Sequence, residues 1–336
     1  MPTTSRIRKN RLFSLLLPAL SALLLASPGL AASCPTVKDP QNLKGAFPGQ
    51  VEIEDAAKAG VTQAFTQNPL FDEDTKSAKL PAVAQRLPEQ PLIELPYETC
   101  GIYGGTLQGL ARAPESGTSD ILSWRQVNLV RISDDLKTIV PDVARSWTWN
   151  KDYTAITFEL RKGHKWSDGQ PFGADDVVFF FEDIINNKDL NPETTREWGV
   201  NVHAKKIDDQ HVELTFDEPF PGLLTYIATS GSYFALFAPK HHFMTMQPKY
   251  NPKADEDAKA AGFETWVKRF DTIYDKWMDA QALTPEALKV PTLESHVIEV
   301  NPDTQQRIFK ANPYYFKVDS SGQQLPYIDR HHERFL

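Results

Sequence analysis

Residues 153–161 (YTAITFELR) alternate strictly, with Ile156, Phe158 and Leu160 on one side and Thr157, Glu159 and Arg161 on the other. This period of two marks a strand with one buried face. Asn150, Lys151 and Asp152 supply the turn that precedes it. Residues 211–216 (HVELTF) repeat the pattern through Val212, Leu214 and Phe216, and Asp208-Asp209-Gln210 joins them to residues 200–207 as a hairpin. Between these strands the period lengthens. Gly173 stands at an N-cap position, Asp175 and Asp176 fall in the first turn, and Val177, Val178, Phe181, Ile184 and Ile185 form a stripe at spacings of three and four. Asn186-Asn187 ends this predicted helix. Neighbouring aspartates on a helix point about 100° apart, so the pair answers the helix dipole better than it answers acid–base chemistry on one substrate. Glu182 and Asp183 are expected on the solvated face.

Further along, residues 263–278 (FETWVKRFDTIYDKWM) carry Phe263, Trp266, Val267, Phe270, Ile273, Tyr274 and Trp277 at helical spacing. Such a stripe of aromatics predicts a core-facing helix. Residues 298–300 and 306–310 read as strands, and Asp319-Ser320-Ser321-Gly322 is a turn signal between apolar flanks. Residues 34–102 are rich in Pro, Ala, Lys and Glu without a sustained period. They are expected to form an N-terminal arm with short helices, docked on the body. The whole predicts an α/β protein with mixed sheets.

The first 33 residues read as a leader. A basic stretch (MPTTSRIRKNR), an apolar stretch broken by Pro18 and Pro28, and small residues at Ala31, Ala32 and Ser33 together fit a secretory signal peptide. The uninterrupted apolar run is too short for a membrane span. Two cysteines, Cys34 and Cys100, remain. Ala31-Ala32-Ser33-Cys34 is similar to a lipobox, which would acylate Cys34; an oxidising compartment would instead pair Cys34 with Cys100. Both readings stay open. The formal net charge of −8 becomes −12 once the leader's four basic residues are removed, which disfavours nucleic acid as a partner.

Five blocks, in order, resemble the solute-binding proteins of ABC importers, the large peptide-binding type known as extracellular solute-binding protein family 5. They are residues 80–89 (LPAVAQRLPE), 103–107 (YGGTL), 140–147 (VPDVARSW) running into TFELRKGHKWSDGQPFGADDVVF, 217–221 (DEPFP), and 312–319 (NPYYFKVD) with 324–329 (QLPYID). The third is the most specific, since an alternating strand, a Lys-Gly turn, a Trp-Ser-Asp-Gly loop and a capped helix must all agree. The resemblance implies a lobe of the periplasmic-binding-protein type II fold over residues 103–336. It implies capture of a peptide or oligosaccharide between two hinged lobes, delivery to a membrane permease, a periplasmic monomer, no cofactor and no catalysis. By the same resemblance Ser123, Trp124, Gly231, Ser232 and Tyr233 are candidate cleft residues. Family members continue beyond the Leu-Pro-Tyr-Ile-Asp block into a second lobe and a return segment. A truncated frame, acting as an exported structural or docking module that binds no solute, is therefore the alternative expectation.

Catalytic readings find little. His241-His242 and His331-His332 are adjacent pairs, which point apart, and no His-Glu-x-x-His or Cys-x-x-Cys spacing occurs. A glycoside hydrolase needs two carboxylates facing across a cleft, and the 44 acids of the chain make chance candidates plentiful.

Overall fold

The computed structural model describes residues 46–47, 49–57, 61, 64–111, 125, 127–192, 201–229, 235–278, 285–300 and 305–336. The expected leader over residues 1–33, Cys34 and the five candidate cleft residues lie outside the described residues.

The alternating segments form one antiparallel sheet in the order β7-β8-β10-β9, made of β7 (Ala144–Trp149), β8 (Ala155–Leu160), β9 (Val202–Lys206) and β10 (His211–Phe216). Val212 lies opposite Phe158 and Leu214 opposite Ile156, so the apolar alternation of both strands falls on one face. That face is buried with Val202 and Ala204 of β9. Against it pack α4 (Ala174–Val178) and the π-helix that continues it over Phe179–Ile185, while α5 (Leu223–Thr229) and α6 (Trp266–Met278) join the same hydrophobic core.

The predicted helix at 174–185 keeps its buried stripe but not its polar face. Asp183 is buried; it accepts an ion pair from Lys249 and a 2.8 Å hydrogen bond from the Tyr250 hydroxyl. The expected solvated position fails because the π turns advance each side chain by a smaller angle than an α-helix does, bringing residue 183 round toward the core. Asp176 is buried too, a staple of the N-terminus: its carboxylate accepts from the Gly173 and Lys240 amides, each at 3.0 Å. Burial raises its pKa to about 6. The aromatic helix starts at Trp266, three residues later than the stripe suggests, because Asp255 accepts the Trp266 amide at 2.9 Å and fixes the first turn there.

A second sheet runs β11-β12-β14-β4, from β11 (His296–Val300), β12 (Gln306–Ala311), β14 (Arg330–Phe335) and β4 (Thr106–Ala111). β4 joins β14 in parallel, and the other two pairings are antiparallel. Gly109 of β4 lies where a Cβ would come within 2.4 Å of His331 Nε2, so the close approach of these strands requires glycine.

The 34–102 segment supplies the expected short helices, α1 (Ile53–Ala56), α2 (Asp72–Lys76) and α3 (Val83–Arg86), but it is also woven into the body. β1 (Ala46–Phe47), β2 (Gln50–Glu52) and β3 (Leu92–Glu94) form a sheet with β13 (Lys317–Asp319), in which β3 and β13 run parallel. Buried charges fasten it. Arg161 bonds Glu52 at 2.8 Å, and Lys317 meets Glu94 at 2.8 Å and Asp142 at 2.9 Å. Burial alone would lower the Lys317 pKa; Asp142 and Glu94 reverse this and hold it raised. A two-stranded ribbon of β5 (Val130–Ile132) and β6 (Ile139–Pro141) leads into β7. Among the described residues no helix is long and apolar enough to cross a membrane.

Candidate functional site

The Trp166-Ser167-Asp168-Gly169 turn follows β8 and is joined to the segment that precedes β11. Gly169 adopts φ +86°, as the turn requires, and a Cβ there would also come within 2.8 Å of the Tyr314 hydroxyl. Trp166 is fully buried and packs edge-on against Phe172 and Phe237. The next residue stitches the turn to the strand approach at 292: the Ser167 amide donates to the Thr292 carbonyl and the Thr292 amide donates to Ser167 Oγ, both at 3.0 Å. Asp168 meets His241 Nε2 at 2.8 Å. Burial would raise the Asp168 pKa, but this hydrogen bond and that from the Gln170 amide keep it below the usual carboxylate value.

Across from the turn, Arg125 is buried. Its Nε donates to Glu294 Oε1 at 2.8 Å and its Nη2 to the Met278 carbonyl at 3.0 Å, while its Nη1 has no hydrogen-bond partner. Glu294 is fixed in turn, since its amide donates to Thr292 Oγ1 at 3.1 Å and its carbonyl accepts from Asn312. Next to it, His296 is buried between Ser295 Oγ and the Ile328 carbonyl, each at 3.0 Å. Burial lowers its pKa to about 4, so the imidazole is neutral; Nε2 donates to the carbonyl and Nδ1 accepts from the serine.

These groups surround a cavity of about 230 Å³ whose wall includes Arg125, Ser167, Asp168, Trp277, Thr292 and Glu294. A second, narrow hollow of about 20 Å³ shares Arg125, Trp277, Thr292 and Glu294 with it and is lined also by Val127, Ala235 and Phe237. Arg125, next after Ser123-Trp124, and Ala235, two positions after Gly231-Ser232-Tyr233, border this second hollow. Arg125, Glu294 and His296 were not singled out by the sequence, because each is an isolated polar residue whose meaning lies in contacts 153 to 169 positions away or at the foot of another strand. Trp277 was read as part of a core stripe. It is half-buried, with one side on Phe243 and another on the cavity.

The histidine pairs do point apart. His331 is buried while His332 bonds Gln306 at 2.6 Å, and His241 holds Asp168 while His242 packs on Phe243. No group of three or more His, Cys, Asp or Glu side chains suited to a metal ion occurs among the described residues. Cys100 is buried and disulfide-bonded.

The chain resembles several known proteins. It is 30% identical over 281 residues to the periplasmic alpha-galactoside-binding protein of Rhizobium meliloti, covering 76% of this chain and 37% of that protein. Over 109 residues it is 34% identical to the periplasmic oligopeptide-binding protein OppA of Escherichia coli, covering 27% of this chain and 20% of that protein. Among solved structures, an oligopeptide-binding protein OppA superposes with a TM-score of 0.74 at 31% identity, over 84% of this chain and 43% of that one. The periplasmic binding protein MelB of Agrobacterium fabrum, solved with stachyose, superposes with a TM-score of 0.60 at 25% identity, over 91% of this chain and 46% of that one. The chain thus spans less than half the length of these relatives. Their fold is that of type II periplasmic binding proteins, and the mixed sheets described above match it. The model of the bacterial extracellular solute-binding proteins, family 5, middle part, matches residues 138–335, more than half of the chain, and the protein belongs to that family.

Proposed function

We propose that this protein captures an oligosaccharide or a peptide in the periplasm for an ABC importer and hands it to the membrane permease, without transforming it. The observation that supports this best is the cavity at Arg125 and Glu294. Its polar side chains are already fixed to backbone or to one another, so they present a preorganised surface of donors and acceptors. The two carboxylates on its wall are each engaged by a cationic or imidazole partner, Glu294 by Arg125 and Asp168 by His241. A hydrolase would instead need one carboxyl held protonated as an acid. The alpha-galactoside-binding and stachyose-bound relatives favour a sugar and the OppA relatives a peptide. The oxidised state of Cys100 favours a bridge to Cys34, the one other cysteine of the chain, over an acyl group there. Mass spectrometry of the exported chain is expected to find no diacylglycerol adduct.

Thermal unfolding with a panel of oligosaccharides and short peptides tests capture. A ligand present at a hundredfold excess over its Kd stabilises by about 2.7 kcal/mol. A rise in Tm with at least one member is expected; no rise with any would favour an exported docking module that binds no solute.

A further inference from the structure

Among the described residues, three that are not glycine hold a left-handed backbone: Ala78, Leu136 and Tyr153. Ala78 is small, and Tyr153 sets its ring 5.4 Å from that of Trp149. Leu136 has neither feature. At φ +59° it is 78% exposed and joins neither hydrophobic cluster of the described residues.

The turn that displays it, between the antiparallel strands β5 and β6, is held from several sides. The Leu136 amide donates to the Ser133 carbonyl and the Ser133 amide to the Thr138 carbonyl, both at 2.8 Å. Asp135 accepts from the Ser133 hydroxyl at 2.6 Å and from the Lys137 amide at 3.2 Å. Arg131 anchors Asp134 at 2.9 Å and reaches Gln50 and Glu94 of the neighbouring sheet. In a turn of this kind the left-handed position ordinarily goes to glycine or asparagine, which strain the backbone least and expose little hydrocarbon. Leucine there costs both strain and exposed apolar area, and packing within the chain offsets neither.

Tyr97 stands at the same tip. It is 86% exposed, and loss of hydration together with the nearby Asp134 carboxylate raises its pKa. Asp134 itself lies over Gly49, where a Cβ would come within 2.3 Å of Oδ2, and the Gly49 carbonyl accepts the Leu95 amide two residues before Tyr97. An aliphatic and an aromatic side chain are thus offered from one rigid corner of the protein. Asp134, Asp135 and Glu98 are exposed around them against the exposed Lys137, with Arg131 answering Asp134 from below. Hydrocarbon with an acidic rim fits an apolar socket bordered by Lys or Arg, and the same acids are repelled by an anionic bilayer. A second copy of the chain would bring those acids face to face.

We propose that the tip of the β5–β6 hairpin, Leu136 with Tyr97, is the surface that docks on the membrane permease, with Leu136 entering an apolar socket of basic rim. The inference rests on the delivery reading above and adds the contact that delivery requires. Asparagine would relieve the backbone at 136 but would not fill the socket, which accounts for the strain being kept.

Photocrosslinking in the cell that exports the full chain tests the assignment, with p-benzoylphenylalanine in place of Tyr97 and, as the control, of the exposed Ile207. Mass spectrometry is expected to find a permease subunit joined to position 97 and not to 207. Leu136→Asn is expected to lower that yield at least fivefold while the Tm stays at or above wild type and stachyose titration is unchanged. Leu136→Met, which keeps the hydrocarbon, should retain the adduct. An adduct of position 97 only with a second copy, no permease adduct, or an undiminished yield in Leu136→Asn would overturn the surface. A permease adduct without stachyose binding would sink capture and leave the surface standing; binding without the adduct would do the reverse.

Discussion

The two larger sheets of the protein bury opposite kinds of chemistry. In β7-β8-β10-β9 the buried positions of the two central strands are Ile156, Phe158, Leu160, Val212, Leu214 and Phe216, all apolar. In β11-β12-β14-β4 the corresponding interior holds Arg307 and Glu333 directly opposite each other, together with His331, Phe309 and Ala311. The first sheet is held by transfer of hydrocarbon from water, which tolerates no polarity but needs no partner. The second is held in part by reciprocal pairing of charges, Arg307 with Glu333. It is also the second sheet that leads, through His296 and Glu294, to the cavity. Fixed polar groups are what a recognition surface needs, and this region supplies them.

The contrast can be broken from either side. Phe158→Ala removes a fully buried ring from the apolar sheet and is expected to cost about 4 kcal/mol in chemical denaturation. Arg307→Met in the polar sheet is expected to cost about 3 kcal/mol, because Glu333, 2.5 Å away and equally buried, loses its guanidinium partner. The pair Arg307→Met with Glu333→Leu should recover most of that loss, whereas no second substitution of this kind rescues Phe158→Ala. An additive double mutant would contradict the reciprocal account.

The same difference decided what could be read from the sequence. The hairpin of β9 and β10, the strand β8, the helix stripe at 174–185 and the aromatic helix were all visible, since a period of two or of 3.6 in apolar residues is what the apolar sheet and its helices are made of. Residues 330–335 (RHHERF) have no apolar alternation, so β14 passed unnoticed although its His331 and Glu333 are buried like core residues. The five cleft residues expected by resemblance lie outside the described residues, and the groups that shape the cavity, Arg125 against Glu294 and the Met278 carbonyl, are joined by contacts across more than 150 residues that no local pattern encodes. Asp183 was misjudged, since local spacing assigns it to solvent and Lys249 and Tyr250 draw it inside, whereas Asp176 keeps its predicted place in the first turn of the helix and is buried there.

Asp176 sharpens the comparison by being a polar group buried in the apolar half. Its pKa is raised from 3.8 to about 6, so the folded state binds its proton more tightly than the unfolded chain does. This contribution to stability is absent above about pH 6 and grows as pH falls through 6 toward 4. Relative to Asp176→Asn, with His241, Asp168 and Lys240 unchanged around it, wild type should gain roughly 1–3 kcal/mol between pH 7.5 and pH 4.5. A constant difference between the two proteins would contradict it. The smallest effect is expected at the surface, where Lys162 and Glu89 pair while both are more than half exposed. Lys162→Ala should change stability by less than about 0.5 kcal/mol, and a larger loss would mean that charge matters outside the buried networks as well.

Capture without chemistry is tested most directly by titrating stachyose into the 336-residue chain in a calorimeter and then analysing the sugar recovered from the cell. The account predicts a saturable heat and an intact tetrasaccharide. No saturable heat, or a cleaved sugar, would contradict it.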